Sequence, residues 1–209
     1  MPKKRSTFLL SVLCFGMAFL YIPMFLLIVY SFNYSKIVSV WGGLSTRWYT
    51  SLFESEEIWS ALMLSLKIAI VNATFATLLG TLAGLALARF RHFRGRTLFT
   101  GMISAPLVMP EVITGLSLLL LFITLGDLIG WPEKRGITTI TIAHITFSLA
   151  YVAVIIESRL SGIGETLEEA ALDLGAKPLR VMMDITLPLL APGMLAGWLL
   201  AFTLSLDDL

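Results

Sequence analysis

Five apolar runs decide what this chain can fold into. They cover residues 8–32, 61–88, 98–125, 137–156 and 189–209, and about 20 apolar residues in a helix cross a bilayer. Inside lipid no water satisfies a backbone amide, so a spanning segment of this kind bonds to itself as a helix. The expected fold is all-α, a polytopic transmembrane helix bundle forming a single domain over residues 1–209. Charge content agrees: 14% of residues are charged, against about 25% in soluble domains. The first run is too long for a cleaved leader and lacks a small-x-small site, so it reads as a retained helix, with Pro23 able to kink it. The last run is still apolar at Leu209, and the chain is expected to be truncated within the fifth helix.

Basic residues set the expected topology. Lys3, Lys4 and Arg5 precede the first run, Arg89, Arg91, Arg94 and Arg96 follow the second, and Arg159, Lys177 and Arg180 follow the fourth. The opposite loops hold only Lys36 and Arg47, then Lys134 and Arg135, while Lys67 lies within a span. The positive-inside rule places the first group, and with it the N-terminus, in the cytoplasm. The formal net charge of +1 gives no reason to expect a nucleic-acid partner. Cys14 is the sole cysteine, and His92 and His144 stand apart from any Cys or carboxylate cluster, so no metal site is expected.

Residues 157–188 form the one long polar stretch between spans. Thr166 and Glu169 have the spacing of a capping box. Leu167, Ala170, Ala171 and Leu174 then share one face of a short helix, and Gly175 can close it in the left-handed conformation. Pro178 suits the first turn of a second helix, expected to run past Ile185 until Pro188 stops it. The product is an elbow on the cytoplasmic side, with a small Ala-Ala surface flanked by Glu168, Glu169 and Asp173, able to accept a partner protein closely.

Two rows of small residues recur at every fourth position, Ala76-Gly80-Gly84-Ala88 and Gly193-Gly197-Ala201-Ser205. Such rows let helices approach closely in lipid. Carboxylates inside apolar runs are the remaining signal. Glu111 is roughly 20 Å along the third span, and Asp207 and Asp208 roughly 28 Å along the fifth. A charge at that depth costs about 2.5 kcal/mol or more, so it should face a cavity or partner. An acid-lined passage favours a cationic solute. Glu111 could equally cap a helix restarting after Pro110, and one carboxyl of the Asp pair could stay protonated.

The segment Glu169-Ala170-Ala171, three residues, Gly175, nine residues, Ile185, one residue, Leu187-Pro188 resembles the signature loop of inner-membrane permeases of binding-protein-dependent ABC importers. Tyr21-Ile22-Pro23-Met24 with Ser31-Phe32-Asn33, Met109-Pro110-Glu111-Val112-Ile113-Thr114-Gly115, Gly130-Trp131-Pro132 and Gly197-Trp198 through Asp207-Asp208 resemble the polyamine (putrescine and spermidine) importer permeases, most of all those for putrescine. That resemblance covers nearly the whole chain, and relatives often have Asp where Glu111 stands. It implies a type I ABC importer permease fold continuing into a sixth helix. It also implies that residues 157–188 are a cytoplasmic coupling loop docking into an ATPase. The implied partners are a homologous second permease, two copies of an ATP-binding subunit and a periplasmic polyamine-binding protein. The subunit itself would bind no cofactor, with ATP and Mg used by the ATPase partner, in the inner membrane of a bacterium.

No phosphate-cradling glycine loop with Lys and Ser/Thr occurs in the chain, nor a nucleophile paired with a base. The sequence thus offers no bond chemistry, and the resemblance implies transport by alternating access, of putrescine above all. A secondary transporter or channel for organic cations could use the same intramembrane acids.

Overall fold

The computed structural model describes residues 7–37, 39–90 and 92–208. Lys3, Lys4, Arg5, Arg91 and Leu209 lie outside the described residues. The chain divides into two compact units, residues 1–62 and 63–209.

In the first unit, α1 (Thr7–Ser31) is a 25-residue apolar helix that carries Pro23 inside it and buries none of its side chains. The chain then turns around Asn33, which is only 3% exposed. Its Nδ2 donates to the Val40 carbonyl at 2.7 Å, and its Oδ1 accepts from the Gly42 amide at 2.7 Å and the Ser35 amide at 3.2 Å. The Asn33 carbonyl accepts the Trp48 indole N–H at 2.8 Å. One asparagine thus satisfies a turn that no sheet or helix could. It leads into α2 (Arg47–Glu54).

The second unit holds the rest of α3 (Glu56–Arg89), then α4 (Arg96–Val108), α5 (Glu111–Ile129), α6 (Ile137–Ile163), α7 (Thr166–Asp173), α8 (Pro178–Val181), a wide π turn (Met182–Thr186) and α9 (Leu187–Asp207). Its core is the buried face of α6. Val152 and Ile156 are fully buried there and Leu160 nearly so, together with Ala73 and Ala76 of α3 and Leu190 and Ala201 of α9. Both small-residue rows abut this face. A Cβ at Gly80 would lie 2.6 Å from Val152 Cβ, and one at Gly84 would lie 2.7 Å from the Ala153 carbonyl and 2.8 Å from Ile156 Cβ. On the α9 side a Cβ at Gly197 would sit 3.2 Å from Val152, and one at Gly193 3.4 Å from Arg159. Bulk sits on α6 and its absence on α3 and α9, which lets three backbones approach closely and gain dispersion contacts.

Asn72 ties the same three helices with polar bonds. It is fully buried on α3, and its Nδ2 donates to Ser148 Oγ of α6 at 3.1 Å and to the Ala201 carbonyl of α9 at 2.9 Å.

Among the described residues, five helical runs are long and apolar enough to cross a membrane: Thr7–Ser31, Glu56–Arg89, Glu111–Ile129, Ile137–Ile163 and Pro178–Asp207. Three local expectations are corrected. The third run, expected over 98–125 with interruptions at Pro106 and Pro110, breaks only at Met109-Pro110, and the part long enough to span is Glu111–Ile129. Met109 takes extended backbone, ψ 139°, because the residue before a proline is pushed out of the helical region. With 13 residues α4 rises about 20 Å, short of the roughly 30 Å hydrocarbon core. Pro106 is accommodated inside α4.

Pro188 does not stop a helix either. It sits in the first turn of α9, which continues from α8 through the π turn. A proline ring clashes with the carbonyl four residues back. The widened turn, in which the Leu187 amide reaches back to the Met182 carbonyl, opens the backbone at that point. Finally, the Thr166–Glu169 capping box is not formed: Glu165 is the cap of α7, Thr166 is already helical, and no side chain caps the helix. Gly164, at φ +75°, turns the chain into α7 one residue earlier than the hydroxyl would need.

Candidate functional site

Two features stand at opposite ends of α9. The first is the elbow. Gly175 adopts φ +85°, and its amide donates to the Leu172 carbonyl at 2.9 Å while the Ala176 amide donates to the Ala171 carbonyl at 3.1 Å. This pair of bonds is a Schellman closure, which requires the left-handed residue that glycine supplies. Glu169, Ala170 and Gly175 are exposed and Ala171 is half-buried. Leu174 is 90% exposed at the tip, and Leu167 and Leu179 are also uncovered. The elbow is thus an exposed apolar knuckle closed by glycine. Ile185 stands apart from it in the π turn, and Leu187 and Pro188 open α9, all three at the base of the last helix.

An ion cluster, not legible beforehand, pins α7 to the helices around it. Arg89, the last residue of α3, donates through Nη2 to Glu168 Oε1 at 2.7 Å and to the Gly164 carbonyl at 3.3 Å. Its Nη1 lies 3.8 Å from Glu165 Oε1. The same Glu168 oxygen accepts the Thr186 hydroxyl at 2.8 Å. Both charged side chains are largely covered, 19% and 20% exposed. Arg89 and Glu168 are 79 residues apart, and no local spacing connects them. Arg89 reads in sequence only as one of several basic residues setting topology.

The second feature is a cavity of about 140 Å³ between α5, α6 and α9. Glu111, Thr114 and Gly115 line it from α5, His144 and Ser148 from α6, and Ser205 and Asp208 from the end of α9. Glu111 and Asp208 thus share one space. Asp207, the last residue of α9, is not part of the lining. Glu111 is also the first residue of α5, where a carboxylate interacts favourably with the helix dipole. His144, overlooked in sequence because it has no metal-ligand company, faces the cavity with Nδ1 2.9 Å from Ser205 Oγ. Among the described residues no group of three or more His, Cys, Asp or Glu could hold a metal ion.

Residues 76–209 match the family model described as binding-protein-dependent transport system inner membrane component. The chain belongs to that family. Its relatives include the putrescine transport system permease protein PotI of Escherichia coli K12, 56% identical over 209 residues, which are all of this chain and 74% of that protein. The spermidine/putrescine transport system permease protein PotC of the same organism is 42% identical over 191 residues, 91% of this chain and 70% of that one. A PotC homolog of Mycoplasma pneumoniae is 30% identical over 214 residues, covering 98% and 72%. With five helices able to cross a membrane, the chain is a multi-pass inner-membrane permease of a binding-protein-dependent system. Such a permease works with other subunits and is not itself an enzyme.

Proposed function

We propose that this chain is a permease subunit of an ATP-driven polyamine importer, with putrescine as its principal solute. The observation that carries the cationic solute is the meeting of Glu111 and Asp208, from two different helices, in one cavity. Full-length similarity to a putrescine permease supports the choice of amine. Size supports it too. A cavity of about 150 Å³ holds benzene, a molecule of six heavy atoms, and a four-carbon diamine also has six. Glu111 and Asp208 offer acceptors for its ammonium groups, and Thr114 and Ser148 offer neutral ones. Asp207, outside the lining, acts at the mouth.

On this reading the N-terminus and elbow are cytoplasmic. Glu169, Ala170, Ala171 and Gly175 dock into an ATP-binding subunit, present in two copies with a second, homologous permease. Ile185, Leu187 and Pro188 carry the load to the base of α9. A periplasmic binding protein delivers the amine, and ATP and Mg are used by the ATPase alone. ATP binding closes the ATPases, the elbows move, and the permease pair exposes its acid-lined path to the outside. The test is uptake of radiolabelled putrescine by cells carrying the complete transporter. Uptake should stop on ATP depletion and survive collapse of the proton gradient at constant ATP. The reverse pattern would make the protein a secondary transporter.

A further inference from the structure

The two glutamates at the start of α7 stand in opposite environments. Glu169 is exposed. Glu168 is largely covered, and its Oε1 accepts from both Arg89 Nη2 of α3 and Thr186 Oγ1 of the π turn. The covalent joints of α7 are glycines at either end, Gly164 at φ +75° and Gly175 at φ +85°. Neither has an atom within 4 Å of where a Cβ would lie. With no side chain to pack, each joint is braced only through its main chain, Gly164 to Leu160 and Arg89 and Gly175 to Leu172, and so resists rotation less than a packed residue. A push on α7 transmitted through them alone would be lost in bending.

We propose that Glu168 is the positioning residue that makes α7 a lever. Its carboxylate hands movement of the elbow to α3 through Arg89 and to α9 through Thr186. This assignment rests on the reading above that α7 docks on an ATPase. The two helices it grips are those whose glycine rows lie against α6. One of them, α9, starts beside Thr186 and is capped by Asp208 in the acid-lined cavity, about 33 Å away at 1.5 Å per residue. The carboxylate is the only side chain of α7 that bonds two other elements among the described contacts. Charge-assisted bonds of this type are short and strong when partly shielded from water. Glu169 is left to meet the partner, and Glu168 to transmit.

The test uses the complete transporter in proteoliposomes, with uptake of labelled putrescine and ATP hydrolysis measured on the same vesicles. Glu168→Gln keeps the shape and loses the charge. Expected is a fall in amine moved per ATP of at least about fivefold, the lower range of allosteric couplings, with ATPase subunits still co-purifying in parental ratio. The double exchange Arg89→Glu with Glu168→Arg should recover part of the ratio. An unchanged ratio in Glu168→Gln would overturn the assignment. So would loss of the ATPase from the complex, because Glu168 would then belong to the docking surface. If Glu168→Gln fails to reach the membrane, Thr186→Val decides. It is near-isosteric and removes one bond, so it should lower the ratio, and a parental ratio refutes the lever. A parental complex that retains no ATPase at all sinks the docking reading itself, independently of either variant.

Discussion

Replacing Gly84 by alanine tests the packing of the bundle at one of its two tightest points, the other being Gly80. The new methyl carbon would start 2.7 Å from the Ala153 carbonyl oxygen, 2.8 Å from Ile156 Cβ and 2.9 Å from Ile156 Cγ2. Carbon pairs prefer about 3.5–4.0 Å, so α3 and α6 must part locally by about 1 Å. One of the obstructing atoms is backbone, and the nearest side-chain carbon is a Cβ, so no rotamer change relieves the contact. Overpacking of this kind costs about 1–3 kcal/mol, and alanine returns up to about 1 kcal/mol of helix propensity. A net loss of about 1–2 kcal/mol is expected. Gly101 on α4 has nothing within 4 Å, so Gly101→Ala should be neutral or gain up to about 1 kcal/mol. The assay is SDS titration of the complete protein in mixed micelles, followed by tryptophan fluorescence. Gly80→Ala should fall near Gly84→Ala, with Gly197→Ala milder and Gly193→Ala close to parental, following the order of the contact distances. If Gly84→Ala and Gly101→Ala unfold at the same SDS fraction, the close approach of α3 and α6 is not real.

Asp208→Asn should raise KM for putrescine uptake at least about fivefold, as expected for a lost charge-assisted bond, while Asp207→Asn, outside the cavity lining, should change it less than about twofold. Equal effects would remove the cavity from the solute path. Gly175→Pro should leave membrane insertion intact and abolish ATP-driven uptake, because proline cannot adopt φ +85° and has no amide for the Leu172 carbonyl. Normal uptake would count against the docking elbow. Asn72→Leu removes the bonds to Ser148 and Ala201, and should cost about 1 kcal/mol in the same SDS titration, the usual size of interhelical bonds in membranes. A parental midpoint would show that this tie is dispensable.

The parts of the fold that were readable are those written in local spacing. Apolar runs mark helices, and Gly175 marks the end of α7 because few other residues reach φ +85°. Pro110 marks the break at Met109-Pro110 in the sequence, but the continuous apolar run does not show that α4 is too short to span or that Pro106 is absorbed inside it. The start of α7 was misjudged because Thr166 has a cap residue's chemistry, while Gly164 two residues earlier fixes the chain direction. Pro188 misled for the opposite reason. A proline is a stop signal in a regular α-helix, and nothing in sequence announces that the turn around it is wide. The Arg89–Glu168–Thr186 cluster and the approach of His144 to Ser205 join residues 18 to 79 positions apart. Such pairings exist only once the chain is folded.

The wide turn at Met182–Thr186 also gives the last helix a reserve of winding. If those residues rewound as ordinary α-helix, everything beyond Thr186 would swivel by about 100°, the angle of one residue. The Gly193–Ser205 seam would then point away from Val152, and Asp208 would leave its cavity. Losing one residue within the bulge, by contrast, would keep that seam in phase, whereas a deletion anywhere later in α9 would not.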